Sequence, residues 1–344
     1  MLILLLGCTI ESCENPDNND VQEVKLALQF RANKAITRGI SWTAESALIT
    51  SQLKVLVFKV ENGTEKFVYV APPLSVENGG YVVTLRKSGN GEAYRLVVVA
   101  NSGEVLPSMS LGTVKNDALR TITFTSSGVW KANSDADYRY IPMWGESANA
   151  QVITETTALG AITLIRALAR IDVGLSLNGN TANGLSNFTL KTVSVYRTRD
   201  KGYVVPVDAT SITNNLVSSV SIPTDATRNG ALTYTSSDGK SLLNSIYVAE
   251  TEKGMENGNQ VCLVIGGLYK GSLSYYRVDL SNADGYVPLK RNCRYIVNIT
   301  AVNAIGYNSE ADALTGNKTL NYGINISAAD WGSEIDAGSG SVSL

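Results

Sequence analysis

The sequence predicts an all-β protein of two β-sandwiches in series, and three observations carry that prediction. Tyrosine (16) outnumbers phenylalanine (5), and Thr, Ser, Asn, Gly and Val are abundant, a mixture that favours twisted strands joined by polar turns. Short strand-like runs recur with turn signals between them, and neither a long amphipathic helix nor an internal repeat interrupts the series. Around residues 145–163 a polar stretch gives way to a new apolar run, "ITLIRALARIDVGLSL", which divides the chain into halves of ordinary domain size.

The first predicted strand is Val24–Phe30, where Val24, Leu26, Leu28 and Phe30 alternate with Lys25, Ala27 and Gln29. A polar link with Arg31 and Arg38 follows. Short helical turns are expected at Ala44–Leu53. Leu53–Val60, in "SQLKVLVFKVENG", is nearly continuously apolar, as a central strand covered on both faces would be. Phe67–Val70, Tyr81–Leu85 and Tyr94–Ala100 come next, and "KSGNGEAY" between the last two reads as a hairpin loop. A helical turn at Lys115–Thr121 has an Asn or Asp of "NDAL" to cap it. The second half offers Thr189–Tyr196, a polar region around 208–240, then Ser245–Ala249, Gln260–Gly266, Ser272–Leu280, Arg294–Val302 and Leu320–Ala328.

Composition excludes several classes of function. Hydrophobic content of 44% supports real cores. The net charge of −2, with both signs interspersed, gives no basic field for nucleic acid. The chain has no histidine, which removes Ser-His and Cys-His nucleophiles and every histidine-ligated metal site. No acidic pair stands out for carboxylate catalysis. An enzyme is not expected, and neither a cofactor nor a metal is implied.

The N-terminus carries a targeting signal. The apolar residues 2–6 are too few to span a bilayer, which takes about 20. They look like the end of a secretory signal whose charged start is missing. Leu5-Leu6-Gly7-Cys8 resembles the bacterial lipobox, so Cys8 is the expected lipidation site, against a buried apolar N-terminus with an incidental cysteine. Residues 9–20 read as a flexible tether, and Cys13 within it lacks a lipobox. Cys262 and Cys293 lie in strand-like sequence and are either a disulfide of an exported protein or two small buried hydrophobes.

Three motifs remain: "YIPMWGE" (140–146), "LIRALARIDV" (164–173), and "CRYIVNITAVNAIGYNSEADA" with "LNYGINISAADW" (293–313, 320–331). Singly they have plain readings, with Trp144 and Trp331 as core or rim aromatics and Arg166 and Arg170 as exposed strand residues. In this order, behind the lipobox-like cysteine, tether, early strand and arginine loop, they resemble the fimbrillin-like surface proteins of Bacteroidales, subunits of the type V pilus.

The resemblance implies two transthyretin-like β-sandwich domains, here 21–160 and 161–331, after a truncated signal at 1–8. It implies export as a lipoprotein anchored in the outer membrane through Cys8. An arginine-specific protease then cuts behind the first strand, and a strand from another fimbrial subunit fills the vacated groove. Arg38 is the expected cut, with Arg31 the alternative because it abuts the packed strand. Val24, Leu26, Leu28 and Phe30 would be the side chains of the removable strand. The tail 332–344 is the only candidate donor, and its phase is broken: Ile335 and Ala337 share one strand face, Val342 and Leu344 the other. The sequence therefore argues better for an acceptor than for a donor. Two other readings stand beside it. One is a non-polymerising surface lipoprotein that binds glycan or host ligand through aromatics such as Trp42, Trp130 and Trp144. The other is a membrane-anchored assembly or anchor protein.

Overall fold

The computed structural model describes residues 22–32, 44–77, 80–131, 139–177, 185–207, 212–213, 216–254, 260–282, 285–316 and 324–330. In the first half the strands are β1 (Glu23–Leu28), β2 (Phe30–Ala32), β3 (Lys54–Glu61), β4 (Thr64–Val70), β5 (Ser75–Glu77) and β6 (Gly80–Arg86). β7 (Tyr94–Ala100), β8 (Thr123–Thr125), β9 (Met143–Glu146) and β10 (Ile162–Arg166) complete it. All but β8 form a three-stranded sheet in the order β1-β6-β5 and a six-stranded sheet in the order β2-β10-β9-β7-β3-β4.

The near-continuous apolar run of β3 is explained by its place between β7 and β4, with Val55–Phe58 buried. "KSGNGEAY" is not a hairpin loop. β6 and β7 belong to different sheets, so the segment carries the chain across the core from one sheet to the other. Turn residues mark a change of direction but do not say which strands pair across it.

The second half holds β11 (Leu168–Leu175), β12 (Phe188–Tyr196), β13 (Lys201–Tyr203), β14 (Ile212–Thr213), β15 (Leu216–Val217) and β16 (Leu232–Thr235). These are followed by β17 (Ser241–Ala249), β18 (Cys262–Tyr269), β19 (Ser272–Asp279), β20 (Ser281–Asn282), β21 (Gly285–Tyr286), β22 (Cys293–Ile299) and β23 (Ile324–Asp330). Two four-stranded sheets, β17-β11-β22-β23 and β16-β12-β18-β19, enclose the second core. β8 and β13 pair as a separate ribbon that links the halves.

The two cores change hands between Leu168, which packs in the first, and Ala169, which packs in the second. β10 therefore belongs to the first unit, although the expected boundary of 160/161 assigns it to the second. The physical reason is that 162–175 is one extended run serving two sheets. β10 pairs with β2 and β9, then β11 pairs with β17 and β22. Polarity changes before this run, so composition places the break too early.

The helices are short. α1 (Lys115–Leu119) starts at Val114 without a side-chain cap, so the Asn or Asp cap expected there is not used. α2 (Glu310–Thr315) lies where the sequence pattern gives no helix; Ser309 accepts a hydrogen bond from the Asp312 N–H at its start.

Candidate functional site

The segment that the sequence singles out, 22–32, is an edge strand twice. β1 runs antiparallel to β6, from Glu23 opposite Arg86 to Leu28 opposite Tyr81. Among the described residues it is an end strand of its sheet, with one hydrogen-bonded neighbour. Val24, Leu26 and Leu28 are buried in the first core, while Glu23, Lys25 and Ala27 are exposed. The alternation thus reflects one face on the core and one in solvent.

At Gln29 the chain leaves this sheet. The Gln29 carbonyl accepts from the Ile162 N–H at 2.9 Å, and β2 continues parallel to β10, with Phe30 opposite Ile162 and Arg31 opposite Thr163. Among the described residues β2 is an end strand of the six-stranded sheet. The predicted strand Val24–Phe30 is therefore two strands in two sheets. Phe30 is half-buried and meets Tyr81 edge-on, ring centroids 5.2 Å apart, where the two sheets converge. The segment is pinned at its start by the Lys87 N–H donating to the Gln22 carbonyl at 2.8 Å. Its charged contact, Lys25 with Glu77 at 3.5 Å, is exposed and weak.

Arg31 sits within β2, its backbone committed to pairing with β10. Arg38, Cys8, Trp42, Trp331 and the tail 332–344 lie outside the described residues. Cys262 and Cys293 are both buried thiols, and the disulfide between them is not formed. They sit in different sheets, on β18 and β22, and the Arg197 guanidinium donates to Cys262 Sγ at 3.3 Å. Trp130 and Trp144 are 2% and 3% exposed, which removes both from the set of exposed aromatics expected to hold a ligand.

The plain reading of Arg166 and Arg170 as exposed is wrong: each is 1% exposed. Both reach back to Glu45, just beyond the arginine-bearing link. Arg170 donates to both Glu45 carboxylate oxygens at 2.9 and 3.1 Å, and Tyr247 donates to the same carboxylate at 2.5 Å. Arg166 Nε donates to the Glu45 carbonyl at 2.9 Å. On its other side Arg170 pairs with Asp172 at 2.7 Å, and Asp172 also accepts from Arg294 at 2.6 Å.

Burial would lower the Arg170 pKa, but Asp172 and Glu45 outweigh it and hold the guanidinium above its ordinary value. Burial, and then the Glu45 charge, push the Tyr247 hydroxyl well above its ordinary pKa. This network spans the junction between the cores. Its signal in the sequence is two arginines inside an otherwise apolar run, where a strand buried on both faces requires each charge to be paired.

No family model and no curated protein matches the chain. Among solved structures, the tip fimbrial protein Mfa3 from Porphyromonas gingivalis with C-terminal truncation is 14% identical, with a TM-score of 0.51 over 90% of this chain and 100% of that one. A Parabacteroides distasonis protein named for cell adhesion is 17% identical over 91% and 98%, with a TM-score of 0.49. A fimbrial assembly protein from the same species is 16% identical over 80% and 90%, with a TM-score of 0.41. At such identities the likeness is one of fold. The fold of this chain is that of the Mfa3 structure, and the resemblance drawn from the sequence holds at that level.

Proposed function

We propose that the protein is a structural subunit of a surface fimbrium, assembled by proteolytic release of residues 22–32 and their replacement by a strand of another subunit. The observation that carries this reading is the double edge. One short N-terminal segment closes the first core against two sheets, and its loss would open both edges and a row of apolar pockets together.

The energetics support exchange over simple loss. Burying Val24, Leu26 and Leu28 is worth about 1.5–3 kcal/mol each, an upper bound because unfolded chains already hide some surface. An incoming strand with the same alternation regains this energy and the ladder hydrogen bonds. Cleavage makes the exchange directional, since the released segment is no longer held near its groove by the chain. Arg38 is favoured over Arg31 because a protease needs an extended, unpaired substrate, and the backbone of Arg31 is paired with β10. Surface localisation, the Cys8 lipid and an arginine-specific protease as partner belong to the same proposal.

Incubating the purified full chain with an arginine-specific protease tests it. We expect a cut at Arg38, after which an added peptide with the alternation of Val24–Leu28 displaces the released segment. A chain that is not cut there, or a cut chain that does not take up the peptide, overturns the proposal, while SDS-resistant ladders of the cut chain alone would show that it also donates a strand.

A further inference from the structure

A cavity of about 510 Å³ lies between the β8–β13 ribbon and the turns around Gln52 and Ser102. Its size falls within the range of small-molecule sites. None of its lining residues is acidic, while Arg139 and Lys201 give it positive charge. No residue of the N-terminal edge segment lines it, so a ligand here would bind independently of strand exchange.

Arg139 is fixed in place. Its guanidinium carbon lies 3.7 Å from the centroid of the Trp130 ring, and one terminal nitrogen donates to the Thr125 carbonyl at 2.7 Å. The Trp130 indole N–H donates to the Arg139 carbonyl at 3.0 Å. Trp130 is itself buried, which makes the stacking platform rigid. Arg95, Arg170, Arg199, Arg277, Arg291 and Arg294 each lie against a carboxylate. Arg139 does not pair with any carboxylate of the described residues. Burial lowers its pKa, and no carboxylate of the described residues restores it. A half-desolvated guanidinium with open donor positions is a preorganised receptor for a planar anion.

One remaining lining group suits a hydroxyl. The Gln52 carboxamide oxygen accepts from the Gly103 N–H at 3.3 Å, leaving its NH2 group to donate. Lys201 stands at the rim in a surface pair with Asp225, which a ligand carboxylate can displace at small cost. We propose that this cavity binds a carboxylate-bearing sugar, its carboxylate on Arg139 and a hydroxyl on Gln52.

Calorimetric titration of the full chain with glucuronic acid, N-acetylneuraminic acid, glucose and inorganic phosphate tests this. At least one acidic sugar should bind saturably, and more tightly than glucose or phosphate. Arg139→Gln should weaken that binding about tenfold or more, and Lys201→Gln by a smaller factor. Thermal unfolding of each variant establishes that it folds. The Lys201→Gln variant and the sugar comparison on the native chain keep the test decisive if Arg139→Gln does not fold. A glucuronosyl-terminated oligosaccharide that binds more tightly than the free acid identifies a glycan-borne ligand, and the reverse order a free one. Absence of saturable binding by both acidic sugars, phosphate or glucose binding as tightly, or an unchanged affinity in folded Arg139→Gln overturns the proposal.

Discussion

Glu45 is fully buried, and its carboxylate holds Arg170 and Tyr247 across the junction between the two cores. Truncating it strands a guanidinium in the interior, where the cost of an unpaired charge exceeds the value of the pair. Glu45→Ala should therefore lose about 3–5 kcal/mol in urea unfolding. The double variant Glu45→Leu, Arg170→Met should lose less than Glu45→Ala alone, because no charge is left behind. Tyr247 adds a pH dependence. Its folded pKa is raised above the unfolded value of about 10. Its contribution is thus complete below about pH 10 and lost as pH rises toward the folded pKa. Tyr247→Phe should cost about 1.5–3 kcal/mol at neutral pH, the worth of a hydrogen bond to a charged group. Its alkaline loss of stability should be shallower than that of the native chain, as measured by denaturation at pH 8 to 11.

Among the elements, β1 and β2 carry the most functional weight. The period-2 pattern of Val24–Phe30 is legible as a half-buried strand, and the buried face is the one it marks. It cannot reveal that the strand changes sheets at Gln29, because alternation records which face is buried and says nothing about which neighbour supplies the ladder. The mistaken hairpin at 87–94 has the same origin. This geometry gives a test at the level of the strand. A peptide of residues 22–32 added to the cleaved chain should restore the groove, and Leu26→Asp in it should abolish binding by burying a charge. Ala27→Asp, one residue along, should be tolerated because Ala27 faces solvent. Equal loss from both substitutions, read by fluorescence of a labelled peptide, would show that the groove does not read register.

For the whole molecule, the separate cores predict separate fates after cleavage. Val24, Leu26 and Leu28 all pack in the first core and none in the second. Removing the segment should lower the first unfolding transition in calorimetry and leave the second near its original temperature, unless the Glu45 network makes the halves melt together. A single transition shifted as a whole would identify that network as strong coupling. The sequence by itself determined the all-β class, the central strand β3, the buried face of the N-terminal segment and the absence of histidine chemistry. Each of these follows from local pattern or composition. Only the tertiary structure decided that 162–175 serves two sheets, that Arg166 and Arg170 are interior, and that Arg139 lies on Trp130. Those facts depend on which distant segments meet. Glu45 reaches Arg170 across 125 residues, and no periodicity along the chain encodes such a meeting.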